Sequence, residues 1–407
     1  MRRALWLSLL CVGCGKGSRA APAPTPRASV SAAAAPRPSA RPVTPPASAA
    51  PAVSAPPSRP VTTSRGFKLV VDKKGFDVAT GSRAMLFRDG VVVRKRGGAL
   101  LFAALGDKPG RIDDDGAAFA RSRTAVARSD GASWAVWVEA GALVRARLPS
   151  DGAAPGEPET LARDAEEYPP AAAMVGGALA VAYVARRAGH DDDRRAKLWV
   201  EGRSIVALSG DSGASALSLL ARDGARLLAA WIDQRTALAP VHVAEIDLSQ
   251  AETRVGAPSV AWNAPPADGL LELAVSPQQP APIALVAGPK NGAEFGLARV
   301  PLSPGARPRD DASWLDYPNG LDPAPVVAVS TCGRPAAVFV RPVTRAPDAP
   351  RSIVHAWVGA TGELLDEVEI ARAGRVDHLD ALALATGAWV LYSGDGRTQL
   401  RRVRCAP

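Results

Sequence analysis

The chain has 407 residues, 47% of them hydrophobic, and a formal net charge of +9. That charge is lopsided: Arg2, Arg3, Lys16, Arg19, Arg27, Arg37, Arg41 and Arg59 fall in residues 1–62, which hold no acid, so residues 63–407 carry only about +1. A near-neutral body excludes the basic footprint of a nucleic-acid binder, and its length suits one large β domain or two smaller ones.

Arg2 and Arg3 precede an apolar run, Ala4 to Val12, of about nine residues. A bilayer span needs about twenty, so the run fits the hydrophobic region of a signal peptide. It ends Leu10-Cys11-Val12-Gly13-Cys14. This resembles the bacterial lipobox, although Cys11 stands where that motif usually has leucine. The resemblance implies that residues 1–13 are removed and that Cys14 carries fatty acyl chains. These would hold the protein on a membrane of the cell envelope, at the outer membrane or a periplasmic face. The competing reading is an ordinary signal peptide cleaved further on, with Cys14 an incidental thiol.

From Gly15 to Thr62 the chain is mostly Ala, Pro, Ser, Arg and Thr, with no Asp, Glu, Trp, Tyr or Phe. Such a composition buries too little apolar surface to offset ordering entropy, so residues 14–62 are expected to be a disordered tether. Its basic charge suits anionic headgroups or an acidic envelope polymer. With the signal gone and Cys14 acylated, Cys332 and Cys405 remain. An even pair in an oxidising compartment is expected to form a disulfide, the alternative being two buried thiols.

Residues 63–407 lack long helical patterns. Instead a short apolar strand recurs: Ala99–Leu105, Ser133–Glu139, Leu179–Ala185, Leu227–Asp233, Pro282–Gly288, Pro335–Arg341 and Ala388–Gly394. Its fifth position reads Ala103, Trp137, Tyr183, Trp231, Val286, Phe339 and Tyr392, at intervals of 34, 46, 48, 55, 53 and 53 residues. A partner strand follows each later copy, as at Gly141–Leu148 and Ser352–Gly359, and another precedes several, as at Thr124–Arg128 and Val326–Ser330. This is the signature of an all-β propeller of four-stranded blades, with small residues near the axis and aromatics in the wedges between blades. Seven blades are expected, and the short first interval leaves six or eight open. Asp130-Gly131, Gly176-Gly177 and Asp223-Gly224 mark hairpin turns. The last copy has only three strands before the chain ends, so a fourth is expected from Phe67–Val71 or Ala84–Arg88. A Cys332–Cys405 bond would pin that closing blade.

The segment Leu227-Leu-Ala-Ala-Trp-Ile-Asp-Gln-Arg235 followed by Val241-His-Val-Ala-Glu-Ile246 resembles the second and third blade strands of sialidase-like propellers. Tyr183-Val-Ala-Arg-Arg187 echoes it. Ser209-Gly-Asp211-Ser-Gly213-Ala-Ser215 follows the spacing of that family's Asp-box turn, with Ala216 in place of its tryptophan. The resemblance implies the architecture. A working sialidase also needs an arginine triad, a tyrosine nucleophile paired with glutamate, and a further acid. Phe87-Arg88-Asp89-Gly90 shares only two residues with the family's Phe-Arg-Ile-Pro motif, and Tyr168, Tyr183, Tyr317 and Tyr392 stand in no catalytic context. No catalytic residue and no cofactor is assigned.

Among other clusters, His190-Asp191-Asp192-Asp193-Arg194-Arg195 offers carboxylates to a divalent cation but matches no calcium-loop spacing, so a solvated loop is expected, as at Asp113-Asp114-Asp115. His190, His242, His355 and His378 lack zinc-ligand spacing. Trp262 and Trp314 either stack on sugars or a partner surface, or cap a blade. The leading expectation is a monomeric, non-enzymatic, lipid-anchored propeller presenting a rigid face to an envelope protein or glycan. A divergent sialidase-like glycoside hydrolase is the alternative, and a purely structural envelope component the third.

Overall fold

The computed structural model describes residues 68–406 except 81–83, 88–89, 95–99, 106–111, 113–123, 129–131, 149–155, 188–189, 211–212, 236–238, 265–269, 277–278, 291–293, 303–312, 315–325, 345, 347 and 360–363. Cys14, the tether and Asp113–Asp115 lie outside the described residues, as do the side chains of His190, Asp191 and Asp192.

The described residues form strands in seven sheets and no helix. Among the described residues, blade 1 has three strands (Ala84–Phe87, Gly90–Arg94 and Leu100–Ala104). Blade 2 runs Ala125–Arg128, Ser133–Glu139, Ala142–Arg147 and Glu159–Ala162. The inner strands of blades 3 to 7 are Ala171–Val175, Ala214–Ala221, Leu270–Ser276, Val327–Thr331 and His378–Leu384. Each inner strand packs on the next, and the seventh returns to the first. The sheets therefore form a closed seven-bladed propeller, with the inner edges facing a central channel.

The wedges account for the aromatic column. Trp137 packs with Phe87 and Val92 of blade 1, Tyr183 with Val136 and Val138 of blade 2, and Phe339 with Ile283 and Leu285 of blade 5. Trp137, Tyr183, Trp231 and Phe339 are at most 1% exposed. Each aromatic lies on the second strand of its blade and fills the gap toward the preceding one, where radial splay leaves most room. Burying such rings contributes much of the core's cohesion.

One position of the column is corrected. Ala103 lies on Leu100–Ala104, the third strand of blade 1, and the equivalent second strand is Gly90–Arg94. The apolar Leu100-Leu-Phe-Ala-Ala104 imitates a second strand, whereas Gly90-Val-Val-Val-Arg94 carries no aromatic, and this produced the short first interval. The turn expectations also divide. Gly176-Gly177 has φ values of 55° and 83° and closes a two-residue turn, as Cys332-Gly333 does at 55° and 74°. Asp223-Gly224 instead sits in a longer loop bridged from the Arg222 amide to the Arg226 carbonyl.

Blade 7 joins both ends of the described chain. Lys68–Val71 and Phe76–Thr80 both pair antiparallel with the C-terminal strand Arg397–Ala406, in registers Leu69↔Cys405 and Phe76↔Leu400. Of the two closing segments expected, the first closes the ring, while Ala84–Phe87 is the inner strand of blade 1. Arg401 donates to the Lys73 carbonyl at 3.0 Å, bridging the kink between the two closing pieces. Cys332, in the turn between the first two strands of blade 6, is bonded to Cys405 with Cα atoms 6.5 Å apart. The bond thus ties blade 6 to the closing blade beside Leu69, whose amide is held by Asp366 of blade 6 at 2.9 Å.

Candidate functional site: the central channel

The inner strands enclose a cavity of about 380 Å³. Its wall is two-sided. Blades 3, 4 and 6 present mainly apolar side chains, Pro169, Pro170, Leu217, Leu219, Val326 and Val327 with the single hydroxyl of Ser218, whereas blades 2 and 7 add Thr124, Arg128, His378 and Asp380 to Val126 and Leu379. The inner strand of blade 5 carries Glu272, whose side chain lies outside the description.

The polar side is organised by one long-range pair. Arg128 Nη2 stands 3.2 Å from Asp380 Oδ2, and the same guanidinium donates to the Leu86 carbonyl from Nη2 at 2.6 Å and Nε at 3.1 Å. Asp380 in turn accepts the Leu86 amide at 2.6 Å and the Ala381 amide at 2.8 Å. Three consecutive inner strands, of blades 7, 1 and 2, are thereby locked at one level of the channel. The Asp380 side chain is 7% exposed and that of Arg128 28%. Burial pushes the Asp380 carboxyl above its ordinary range, against the opposing pull of Arg128 and the two amides.

The sialidase-like segment does other work. Asp233 accepts the Gly213 and Arg235 amides, each at 3.0 Å, and pairs with Arg235 Nη2 at 2.9 Å. It fastens the crossover from blade 3 to the inner strand of blade 4. Burial raises its carboxyl, but Arg235 and the two amides outweigh that and hold it below the usual range. The Asp-box-like turn lies in this crossover, and its Asp211 is outside the described residues. His242 stacks on Trp231 with centroids 5.5 Å apart and planes 10° apart, and burial lowers its pKa.

The remaining expected residues scatter away from the channel. His355 is fully buried on the third strand of blade 6, 2.9 Å from the Thr331 hydroxyl, and burial lowers its pKa to about 4. Asp193 sits 3.8 Å from Arg195, and no group of three metal-ligating side chains occurs among the described residues. Tyr168 bonds Arg194, Tyr183 donates to Asp164 at 3.1 Å, and Tyr392 bonds Gln399. Trp262 and Trp314 meet edge to face at 5.1 Å over the cluster between blades 4 and 5, which is the capping alternative. Among the described residues lining the channel there is one arginine and neither tyrosine nor glutamate. Sequence reasoning missed Arg128 and Asp380. Their only signal is a carboxylate inside the otherwise apolar run Leu379–Leu384.

No protein-family profile matches this chain, and no curated protein matches it. Many solved structures do. A protein of unknown function from Dyadobacter fermentans DSM 18053 is 12% identical, with 83% of this chain and 98% of that one covered and a TM-score of 0.43. The WD40 β-propeller domain of Doa1 is also 12% identical, with coverage of 83% and 97% and a TM-score of 0.46. A subtype N10 neuraminidase-like protein of A/little yellow-shouldered bat/Guatemala/060/2010 is 10% identical, with coverage of 70% and 94% and a TM-score of 0.43. The propeller assignment rests on the strand pairing and ring closure described above.

Proposed function

We propose that the protein is a lipid-anchored binding module of the cell envelope, a rigid propeller held on a membrane through Cys14 and presented to an envelope protein or glycan by residues 14–62. The observation that supports this reading is the fixing of the first described strand. Lys68–Val71, which follows the expected tether in sequence, is stitched into the last blade beside the Cys332–Cys405 bond. A receptor pulled through its tether needs its first strand fixed, and a disulfide fits an oxidising compartment. The alternative, a divergent sialidase-like hydrolase, is favoured by the Leu227–Arg235 segment alone, whose Asp233 and Arg235 are engaged in fastening a crossover.

Two measurements test the reading. Cys14→Ser should abolish incorporation of a fatty-acid probe and release the protein from membranes, and continued labelling would sink the anchor. The full chain carrying Cys14→Ser should then capture a defined envelope protein or glycan class from fractionated envelopes and a glycan array. Hydrolysis of a sialoside would instead favour the hydrolase.

A further inference from the structure

We propose that the channel is a site for a small carboxylate with a mainly apolar body, clasped by Nη1 of Arg128. This deepens the binding-module reading by naming a ligand for the channel, and it does not require the anchor. The cavity, about 380 Å³, lies at the small end of organic-ligand sites, roughly 300 to 1,000 Å³.

Arg128 is pre-oriented for the task. Its Nε and Nη2 are spent on the Leu86 carbonyl and Asp380, which fixes the plane of the guanidinium. Nη1 makes no hydrogen bond to a described residue, and the side chain keeps 28% of its surface exposed in a residue that lines the cavity. A guanidinium held on one edge and open on the other loses little side-chain entropy when it takes a ligand oxygen. Asp380 offsets part of the guanidinium's charge, but its oxygens are engaged by two amides and by Nη2, which leaves Nη1 free to donate to a ligand oxygen.

The opposite wall selects the rest of the ligand. Pro169, Pro170, Leu217, Leu219 and Val326 offer no side-chain hydrogen-bonding group and Ser218 offers a single hydroxyl, so most hydroxyls of a polyol pressed against this wall would meet no side-chain partner, at a cost of about 1 to 3 kcal/mol each. An aliphatic or aromatic acid has no hydroxyl to strand there, whereas a sugar acid has more hydroxyls than Ser218 can satisfy. The channel therefore points away from sialic-acid-like ligands.

The test is a binding titration of the full chain with 3-phenylpropionate, its amide and N-acetylneuraminate, followed by tryptophan fluorescence and the shift in Tm. 3-Phenylpropionate should bind saturably, the amide at least about tenfold more weakly for want of the charge-assisted bond, and N-acetylneuraminate at least about tenfold more weakly too. Pro169→Trp, just ahead of the inner strand of blade 3, should fill the channel mouth and remove binding while leaving Arg128 and its partners untouched. Arg128→Gln should also remove it, and if that variant fails to fold the Pro169→Trp result still decides. Equal affinity for acid and amide, equal affinity for the sugar acid, binding that survives Pro169→Trp, or no binding by any probe would each overturn the proposal. The last leaves capture of a partner by the propeller faces standing, because envelope capture reads that separately.

Discussion

Among the described residues, two acid–arginine pairs with buried carboxylates differ in almost everything except their chemistry. Asp233 and Arg235 are two residues apart, and Arg128 and Asp380 are 252 apart. Their carboxylates are equally hidden, at 6% and 7% exposure, yet the first is held below its ordinary pKa and the second above it. The difference lies in the surroundings. Arg235 is half exposed and gives Asp233 its Nε, Nη2 and backbone amide. Arg128 divides its donors between Asp380 and the Leu86 carbonyl, so the fully desolvated acid receives less compensation. The local pair is a latch on one loop, whereas the distant pair is a joint among three blades.

If distant contacts hold the ring and local ones only tidy its rim, the largest effect should come from the Cys332–Cys405 bond, which spans 73 residues of chain. Replacing both cysteines with serine should cost about 4 kcal/mol on the chain-entropy account, read as a lower urea midpoint. A loss below about 1 kcal/mol would break the comparison at its strong end. Asp380→Ala should come next, at about 3 kcal/mol, because it strands a cation in the channel and removes the acceptor of two amides. Arg128→Met in the same chain should recover part of that loss, and strict additivity of the two would argue against a joint.

pH sharpens the contrast through the sign of its effect. Asp233, depressed, contributes stability that is full above its unfolded pKa and lost as pH falls through its folded value. Asp380, raised, is favoured on folding when protonated, so its contribution shrinks as pH rises from its unfolded value to its folded one. Asp233→Asn should therefore flatten the acid loss of stability, and Asp380→Asn should steepen it. His355 adds a third titration. Its pKa near 4, against 6.5 unfolded, means that stability present above 6.5 declines as pH falls toward 4, by about 3 kcal/mol in total. His355→Gln should remove that slope in melts taken from pH 7 to 4.

What could be read in advance follows the same division. Blades 2 to 7 were legible because each repeats one apolar strand with a larger fifth residue, and Trp137, Tyr183, Trp231, Phe339 and Tyr392 need that bulk to fill a wedge. Ring closure was legible because the last repeat lacks a strand and an apolar segment waits at Lys68–Val71. The channel pair was not. Recognising Arg128 and Asp380 as neighbours requires the relative heights of three inner strands, which no local pattern specifies, and arginine is too common here for one to stand out. The first blade was misaligned for a related reason: Gly90–Arg94 meets its wedge without an aromatic, so nothing in its sequence distinguishes a second strand from a third.

The smallest expected effect is the most exacting check on the local half. Arg235→Ala should cost under about 1 kcal/mol, because its guanidinium is half exposed and Asp233 keeps both amides when the side chain is gone. The acid limb of the pH profile should nevertheless lose part of its slope, since the arginine helps to depress that carboxyl. Asp233→Ala should cost more, by about 1 to 3 kcal/mol, as the buried Gly213 amide and the partly buried Arg235 amide lose their acceptor. A ranking in which the arginine matters more than the aspartate would mean that charge pairing, and not backbone capping, fastens this crossover.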